Sequence, residues 1–259
     1  MTAAKLTVAD LHMSFNGLKV LEDIALSVAP GEFVSLVGPS GCGKTTFLRI
    51  IAGLEFADRG DIRIDGRRVE QPGTDRGFVF QADSLLPWRT VFRNAFIGLE
   101  VSGAGTAETR GRTQALLRLV GLEHFGHYFP RQLSGGMRQR VNLARALAVN
   151  PEVLLMDEPF SALDAQTREI MQAELMRIWS DGRKTVLFVT HQIDEAVYLS
   201  DRVVVLSRRP GRINEIVGVD LARPRALSLK RSAPFVTCVE RIWKLIEDDV
   251  RQTVLAEGG

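Results

Sequence analysis

With 259 residues, the chain is long enough to bury a full hydrophobic core, as one large domain or as one domain with subdomains. The hydrophobic content of 45%, the charged content of 25% and the formal net charge of +2 are ordinary for a globular protein, and the scattered basic residues give no case for a nucleic-acid partner. No apolar run approaches the roughly 18 residues of a membrane-spanning helix, so we expect any role at a membrane to be peripheral.

The cysteines and the N-terminus indicate the compartment. Cys42 and Cys238 are the two cysteines, and Cys42 lies inside the glycine-rich loop described below. We therefore expect no structural disulfide and a reducing compartment. The N-terminus shows no basic-then-apolar pattern of a secretory signal.

Residues 1 to 32 are predicted to form strands and turns. Two short β-prone runs, Leu6 to Val8 and Ala25 to Val28, lie on either side of an Asn16-Gly17 turn signal. Phe15 therefore lies near the tip of a predicted hairpin. Two interpretations of its ring remain open: an ordinary half-buried aromatic, or a ring that stacks on adenine.

A phosphate-binding loop follows an apolar run, Phe33 to Val37, that predicts a buried strand. A helix is predicted after the loop, with Gly53 as its stop. Glycines let backbone N–H groups approach an anion, and the helix N-terminus adds partial positive charge. Lys44 is expected to reach the β- and γ-phosphates and Thr45 to ligate Mg²⁺. The alternative is a glycine-rich turn with a chance lysine. The predicted nucleotide-binding residues are Gly38, Pro39, Ser40, Gly41, Cys42, Gly43, Lys44, Thr45 and Thr46.

Residues 60 to 80 again indicate strands, ending at Gln81. Trp88 follows in a proline-broken loop, where it is either a core residue or a contact for a partner protein. Residues 91 to 128 predict helices with a break at 102 to 105, and Ala115, Leu116, Leu119 and Val120 are spaced for one helical face.

A possible metal pair lies at the end of this helical region. His124 and His127 stand three residues apart beside Glu123, but no third strong ligand is near in sequence. Surface or capping histidines are the favoured interpretation.

The stretch Leu133 to Met137 places a Ser-Gly-Gly turn at the start of a predicted helix. This creates a second helix N-terminus that can bind an anion. A serine cap followed by a flexible turn is the alternative.

The run Val153 to Met156 predicts a buried parallel strand that ends in two carboxylates, Asp157 and Glu158. Sites in open α/β sheets lie at the carboxyl ends of strands. Asp157 is placed to hold Mg²⁺ and Glu158 to polarise an attacking water. A strand that ends in a charged turn would explain one acid more easily than two.

Another buried strand, Thr185 to Thr190, is predicted to end at His191. That side chain is either a contact for the γ-phosphate or a satisfied core residue. From Pro234 onward the pattern predicts an amphipathic helix. Its proposed apolar face comprises Phe235, Val239, Ile242, Trp243, Ile246 and Val250.

In this order, the motifs resemble those of an ATP-binding cassette ATPase over residues 5 to 225. More narrowly, the chain resembles the ATPase subunit of nitrate/sulfonate/taurine-type importers. The stretches that carry this resemblance are 85–88, 133–140 with Met137, 155–160, 194–202 and 209–213. Two positions depart from the family's pattern: Ser161 stands where glycine is commoner, and Gln192 where aspartate is usual. Neither removes a group that does chemistry.

The resemblance implies roles for individual residues. Phe15 would stack on adenine, a position where the family usually has tyrosine. Gln81 would touch Mg²⁺ and the attacking water and would sense the membrane partner. His191 would be the switch histidine. Asp164 would form part of a dimer contact. The γ-phosphate bound by the opposite subunit would be contacted by Ser134, Gly135 and Gly136.

The resemblance implies an α/β, P-loop NTPase fold with a mainly parallel core sheet, an antiparallel β-subdomain and a helical subdomain at about residues 88–150. The cassette would span residues 1–225, and an amphipathic helical extension residues 226–259. With ATP and Mg²⁺, a head-to-tail homodimer would hydrolyse ATP at the cytoplasmic face of the membrane. It would drive a permease fed by a solute-binding protein. The rivals are a non-transport cassette ATPase and a small-molecule P-loop kinase.

Overall fold

The computed structural model describes residues 3–82 and 84–257. The chain forms two compact units: unit 1 comprises the residues up to Gly73 together with those from Arg183 onward, and unit 2 comprises Thr74–Gly182. The predicted boundary at residue 225 does not coincide with these limits and stays a prediction.

Unit 1 contains an antiparallel sheet in the order β2-β1-β4-β5. Along strand β1, buried and more exposed side chains largely alternate, and Leu6, Val8 and Leu11 are buried. The strand lies between β2 and β4, so that Leu6 pairs with Val28 on one side and with Ile64 on the other. The turn between β1 and β2 is Asn16-Gly17, both with positive φ, as the hairpin prediction requires. The strands are β1 (Leu6–Phe15), β2 (Leu18–Val28), β4 (Arg59–Ile64) and β5 (Arg67–Arg68).

A second set of strands in unit 1 runs in the order β10-β9-β3-β8. Strand β3 pairs in parallel with both β8 and β9, while β10 is antiparallel to β9. Strands β3 and β8 are buried along their whole length, which explains why apolar residues dominate their sequences. The bounds are β3 (Phe33–Val37), β8 (Thr185–Val189), β9 (Arg202–Leu206) and β10 (Ile213–Gly218).

Within the described residues, unit 1 contains the helices α1 (Lys44–Ala52), α6 (Ile193–Leu199) and α7 (Ala233–Glu257), with a 3₁₀ turn at Leu227–Arg231. Helix α1 ends at Gly53, whose φ of 76° lets its N–H bond back to the last turn, as the predicted stop requires. Helix α7 packs on α6, β9 and β10.

Unit 2 pairs β6 (Arg76–Val79) in parallel with β7 (Val153–Asp157). Its helices are α2 (Val91–Val101), α3 (Ala107–Leu119), α4 (Gly135–Ala148) and α5 (Ala165–Gly182), with 3₁₀ turns at Glu123–Phe125 and Pro130–Gln132. Helices α2, α3 and α4 pack against one another, and the break at 102 to 105 falls between α2 and α3 as predicted.

The α/β class is confirmed, with parallel strands that carry the phosphate loop and a separate antiparallel sheet. Two predicted helix faces need correction. On α3, Leu116 packs on a buried cluster and Val120, just after the helix, is buried, as predicted, but Ala115 is exposed, and Thr113 and Leu117 are buried as well. On α7, Phe235, Ile242 and Ile246 are buried, but Trp243 is exposed, and the side chain of Val250 lies outside the described residues.

Among the described residues, no helix is both long and apolar enough to cross a membrane. Both cysteines in this part of the chain are free thiols.

Candidate active site

The phosphate loop leaves β3 and enters α1 through backbone conformations that need glycine. Gly38 and Gly43 have φ values of 156° and 102°. A Cβ on Gly38 would come within 2.7 Å of the Leu206 carbonyl oxygen, and one on Gly43 within 2.7 Å of Leu21 Cδ2. A side chain at either position would therefore displace the loop from its neighbours.

Lys44 is the first residue of α1, and its ammonium group turns back over the loop. Its Nζ donates to the carbonyl oxygens of Gly38 at 2.8 Å and Pro39 at 2.9 Å, and the side chain is nearly buried. The loop thus concentrates a cation, backbone N–H groups and a helix N-terminus at one place, and this donor set fits a polyphosphate. Thr45, next along α1, is partly exposed and adds a hydroxyl of the kind that ligates Mg²⁺.

A glycine from another segment of unit 1 supports the loop from behind. A Cβ on Gly211 would lie 2.1 Å from the Cys42 carbonyl oxygen, so the two backbones are in direct contact. Gly211 donates to Val20 at 2.8 Å and accepts from Glu22 at 3.0 Å. Burial raises the pKa of the Cys42 thiol, which keeps this loop residue protonated at neutral pH.

Phe15 and His191 also belong to unit 1. The Phe15 ring is 43% exposed at the end of β1, a surface that an aromatic ligand can reach. His191 is exposed just after β8, so the core-residue interpretation of this histidine is wrong. Its turn is fixed by Thr190, whose buried hydroxyl donates to Glu195 and accepts from the Gln192 N–H at 3.0 Å.

In unit 2, the carboxyl ends of β6 and β7 bring Gln81 and Glu158 together. Gln81 Nε2 donates to Glu158 Oε2 at 3.2 Å. Asp157 is buried at the end of β7, whereas Glu158 is partly exposed and adopts a φ of 45°. This left-handed conformation is rare for a glutamate, and such backbone strain occurs preferentially at functional sites. The amide oxygen of Gln81 and the carboxylate oxygens of Asp157 and Glu158 are of the kind that ligates Mg²⁺.

The Ser-Gly-Gly turn opens α4 as predicted. Ser134 caps the helix by accepting from the Met137 N–H at 3.2 Å, so the capping interpretation holds alongside the anion-binding one. A Cβ on Gly136 would come within 2.9 Å of Leu163 Cδ2, whereas one on Gly135 would be 3.8 Å from the nearest atom, Arg138 Nη2. Gly135 is therefore the position that tolerates a side chain.

Asp164 caps the neighbouring helix α5. Its carboxylate accepts from the Thr167 N–H at 3.0 Å. Hydrogen bonds from Thr167 hold the pKa of Asp164 below its usual range, so the side chain is charged at neutral pH.

Sequence reasoning missed three polar residues of α4 that contact the segment around Gln81. Gln139 and Asn142 donate to the Phe80 carbonyl, and Arg145 donates to Ser84. Their spacing of three residues on a helix, between apolar positions, is the signal that could have revealed them.

Among the described residues, neither His124 nor His127 belongs to a group of three or more side chains that could hold a metal ion. Within the described residues, Asp10, His12 and Asp23 form such a cluster, and Arg59 already pairs with Asp10 at 2.5 Å.

The comparisons with known proteins identify the same family that the order of the motifs indicates. Residues 21–161 match the family model described as ABC transporter. The chain is similar to an uncharacterized ABC transporter ATP-binding protein of Methanocaldococcus jannaschii, with 52% identity covering 96% of this chain and 94% of that protein. It is also similar to the taurine import ATP-binding protein TauB of Rhizobium johnstonii, with 48% identity covering 89% of this chain and 91% of that protein.

The chain is also similar to a solved structure of an ATP-binding cassette. The dimeric structure of an ATP-binding cassette in a post-hydrolysis state, bound to ADP and Pi, matches with a TM-score of 0.76 at 32% identity. The match covers 84% of this chain and 100% of that one.

Proposed function

The chain belongs to the ABC transporter family of ATP-binding ATPases, and from that premise we propose that it powers an importer for a small solute of the nitrate, sulfonate or taurine class. The observation that carries the transport proposal is the likeness to taurine import proteins along 89% of the chain. That likeness does not favour the non-transport alternative. The partner would be a membrane permease, supplied with solute by a separate binding protein.

ATP binding is assigned to the phosphate loop, and stacking on adenine to Phe15. The backbone N–H groups around Gly41 and Gly43 face an anion without a Cβ in the way, and the Lys44 ammonium neutralises the β- and γ-phosphates. Thr45, Gln81 and Asp157 would hold Mg²⁺. When bound, Mg²⁺ neutralises part of the phosphate charge.

Hydrolysis is assigned to Glu158 as general base. Its carboxylate accepts a proton from the water that attacks the γ-phosphorus. The bond to the bridging oxygen breaks, and ADP leaves with that electron pair. The hydrogen bond from Gln81 orients the carboxylate, and exposed His191 is assigned a contact with the γ-phosphate.

The proposed assembly is a head-to-tail homodimer in which Ser134, Gly135 and Gly136 of one copy contact the γ-phosphate held by the other. Asp164 is charged and follows Leu163, whose side chain lies against Gly136 of this turn, and it is assigned to the dimer contact. The dimer would act on permease subunits at the cytoplasmic face of the cell membrane.

The test is solute uptake. The chain is reconstituted in proteoliposomes with the permease encoded beside it and a matching binding protein, and the radiolabelled solutes are taurine, an alkanesulfonate and nitrate. We expect ATP-dependent accumulation of one solute class, and no accumulation with Glu158→Gln. ATP hydrolysis that the complex never couples to any of these solutes would contradict the importer assignment.

A further inference from the structure

The carbonyl oxygen of Phe80 receives two buried amide donors from α4. Gln139 Nε2 donates at 3.1 Å and Asn142 Nδ2 at 3.0 Å. Gln139 is 3% exposed and Asn142 is fully buried. A carbonyl oxygen has two lone pairs and can therefore accept both hydrogen bonds. Because a buried amide without a hydrogen-bond partner costs free energy, both side chains are held in this arrangement.

A third residue on the same face of α4 extends the attachment. The guanidinium of Arg145 donates to the Ser84 carbonyl at 2.9 Å and to the Ser84 hydroxyl at 2.8 Å, and it also bonds the amide oxygen of Asn142. Ser84 has a φ of 36°, a conformation that needs such support. The chain is therefore tied to α4 at Phe80 and again at Ser84.

Gln81 lies directly after the first of these ties. Its backbone nitrogen shares one planar peptide group with the Phe80 carbonyl, so fixing that carbonyl fixes the plane from which the Gln81 side chain extends. That side chain donates to Glu158 at 3.2 Å. A chain of direct bonds thus runs from α4, which begins at the Ser134 cap, to the proposed base.

We infer that Gln139 and Asn142 are positioning residues for Gln81. They hold its peptide plane on α4 so that its amide meets Glu158. The inference rests on the proposed function of Gln81 and Glu158. Loss of the two donors would leave ATP affinity intact, because neither residue belongs to the phosphate loop, and would lower the rate of hydrolysis.

The test uses the full chain with Gln139→Met and Asn142→Leu together, which keep side-chain volume and remove both donors. We expect kcat to fall about tenfold, since small misplacements of a reacting group have effects of this order, and KM for ATP to stay within about twofold. The control is Val141→Ala, which removes buried apolar contact from the same helix and makes no bond to Phe80. At a comparable loss of melting temperature, this control should keep its kcat. If the double variant does not fold, Gln139→Met alone retains the Asn142 bond and should show a smaller fall in kcat.

A double-mutant cycle with Gln81→Ala separates positioning from general damage. If Gln139 and Asn142 act through Gln81, removing their donors in the Gln81→Ala background should lower kcat no further. An equal fall in both backgrounds, or wild-type kcat in the variant with intact Gln81, would overturn the inference while the role of Gln81 stands. Wild-type kcat in Gln81→Ala alone would overturn the proposed role of Gln81, and the inference with it.

Discussion

At the scale of single residues, Lys44 has the most direct consequence. Its ammonium is bonded to two loop carbonyls and lies nearly buried at the start of α1. Lys44→Ala should therefore weaken ATP binding by about tenfold to about a hundredfold, the loss of a charge-assisted bond worth about 1.5–3 kcal/mol. Titration calorimetry measures this affinity. Lys19→Ala, which removes an exposed lysine paired with Glu22, is the control and should bind normally. An unchanged affinity in Lys44→Ala would contradict the loop assignment.

Glu158 separates nucleotide binding from hydrolysis. Glu158→Gln keeps the side-chain shape and an oxygen for the Gln81 donor, but it cannot accept a proton. We expect ATP binding to be retained and kcat to fall about 10²- to 10⁴-fold, the usual contribution of a general base. Phosphate release measures the rate. Glu174→Gln, on helix α5, should keep wild-type turnover, and a Glu158→Gln variant that does the same would exclude Glu158 as the base.

Much of the candidate site could be predicted at the residue scale because its signals are local. The glycines, Lys44 and the carboxylates at the end of β7 lie in or next to the strand or helix that positions them. The exposure of His191 and the contact of Gln81 with Glu158 depend on residues far away in sequence, and the same sequence patterns allowed a buried histidine or a simple charged turn.

At the scale of elements, the sequence predicts a strand well where the side chains of that strand are all buried or are buried in alternation. β3 and β8 are mostly apolar because both of their faces are covered. Asn16 and Gly17 are residue types that accept the positive φ values of this turn. Which residues of a helix are buried is harder to predict from the sequence. On α3, Ala115 and Leu117 are both compatible with an apolar face, but Ala115 is exposed and Leu117 is buried, because burial on this helix depends on how it packs against α2 and α4.

Helix α6 depends on an arginine that no local pattern identified. Arg225 is buried and donates to the carbonyls of Val197, Tyr198 and Ser200 at 2.8–3.0 Å, which satisfies the helix's C-terminal end. Arg225→Leu should lower the free energy of unfolding by about 3 kcal/mol, because these buried carbonyls lose their donor.

Chemical denaturation measures this effect against a matched arginine on the surface. Arg177→Leu removes an exposed pair with Glu174 on α5 and should cost at most about 0.5 kcal/mol. Equal effects of the two substitutions would show that the Arg225 bonds do not stabilise the fold.

At the scale of the whole molecule, Trp88 marks a candidate surface for the permease. Its side chain is 71% exposed, so the core interpretation of this residue is wrong. Trp88→Ala should leave melting temperature and basal ATPase unchanged, because the side chain packs little within the chain. It should weaken co-purification with the membrane subunit, since exposed aromatics are frequent binding anchors. Phe56→Ala, another exposed aromatic, is the control and should co-purify normally. Normal co-purification of Trp88→Ala would place the permease contact elsewhere.

In the proposed dimer, two copies of the chain share each ATP site, one through the phosphate loop and the other through the Ser134 turn. Lys44→Ala disables the first element. Gly135→Asp disables the second by adding a negative charge at a position with room for a side chain. Each variant alone should be inactive as a homodimer.

The most direct measurement is the steady-state ATPase of these two inactive variants, alone and mixed in equal amounts, with differently tagged chains to show that mixed dimers form. Half of the dimers would be mixed, and each would contain one site with both elements intact. We therefore expect recovery to about a quarter of wild-type turnover. Mixed dimers that form but remain as inactive as the separate variants would contradict a site shared between two copies.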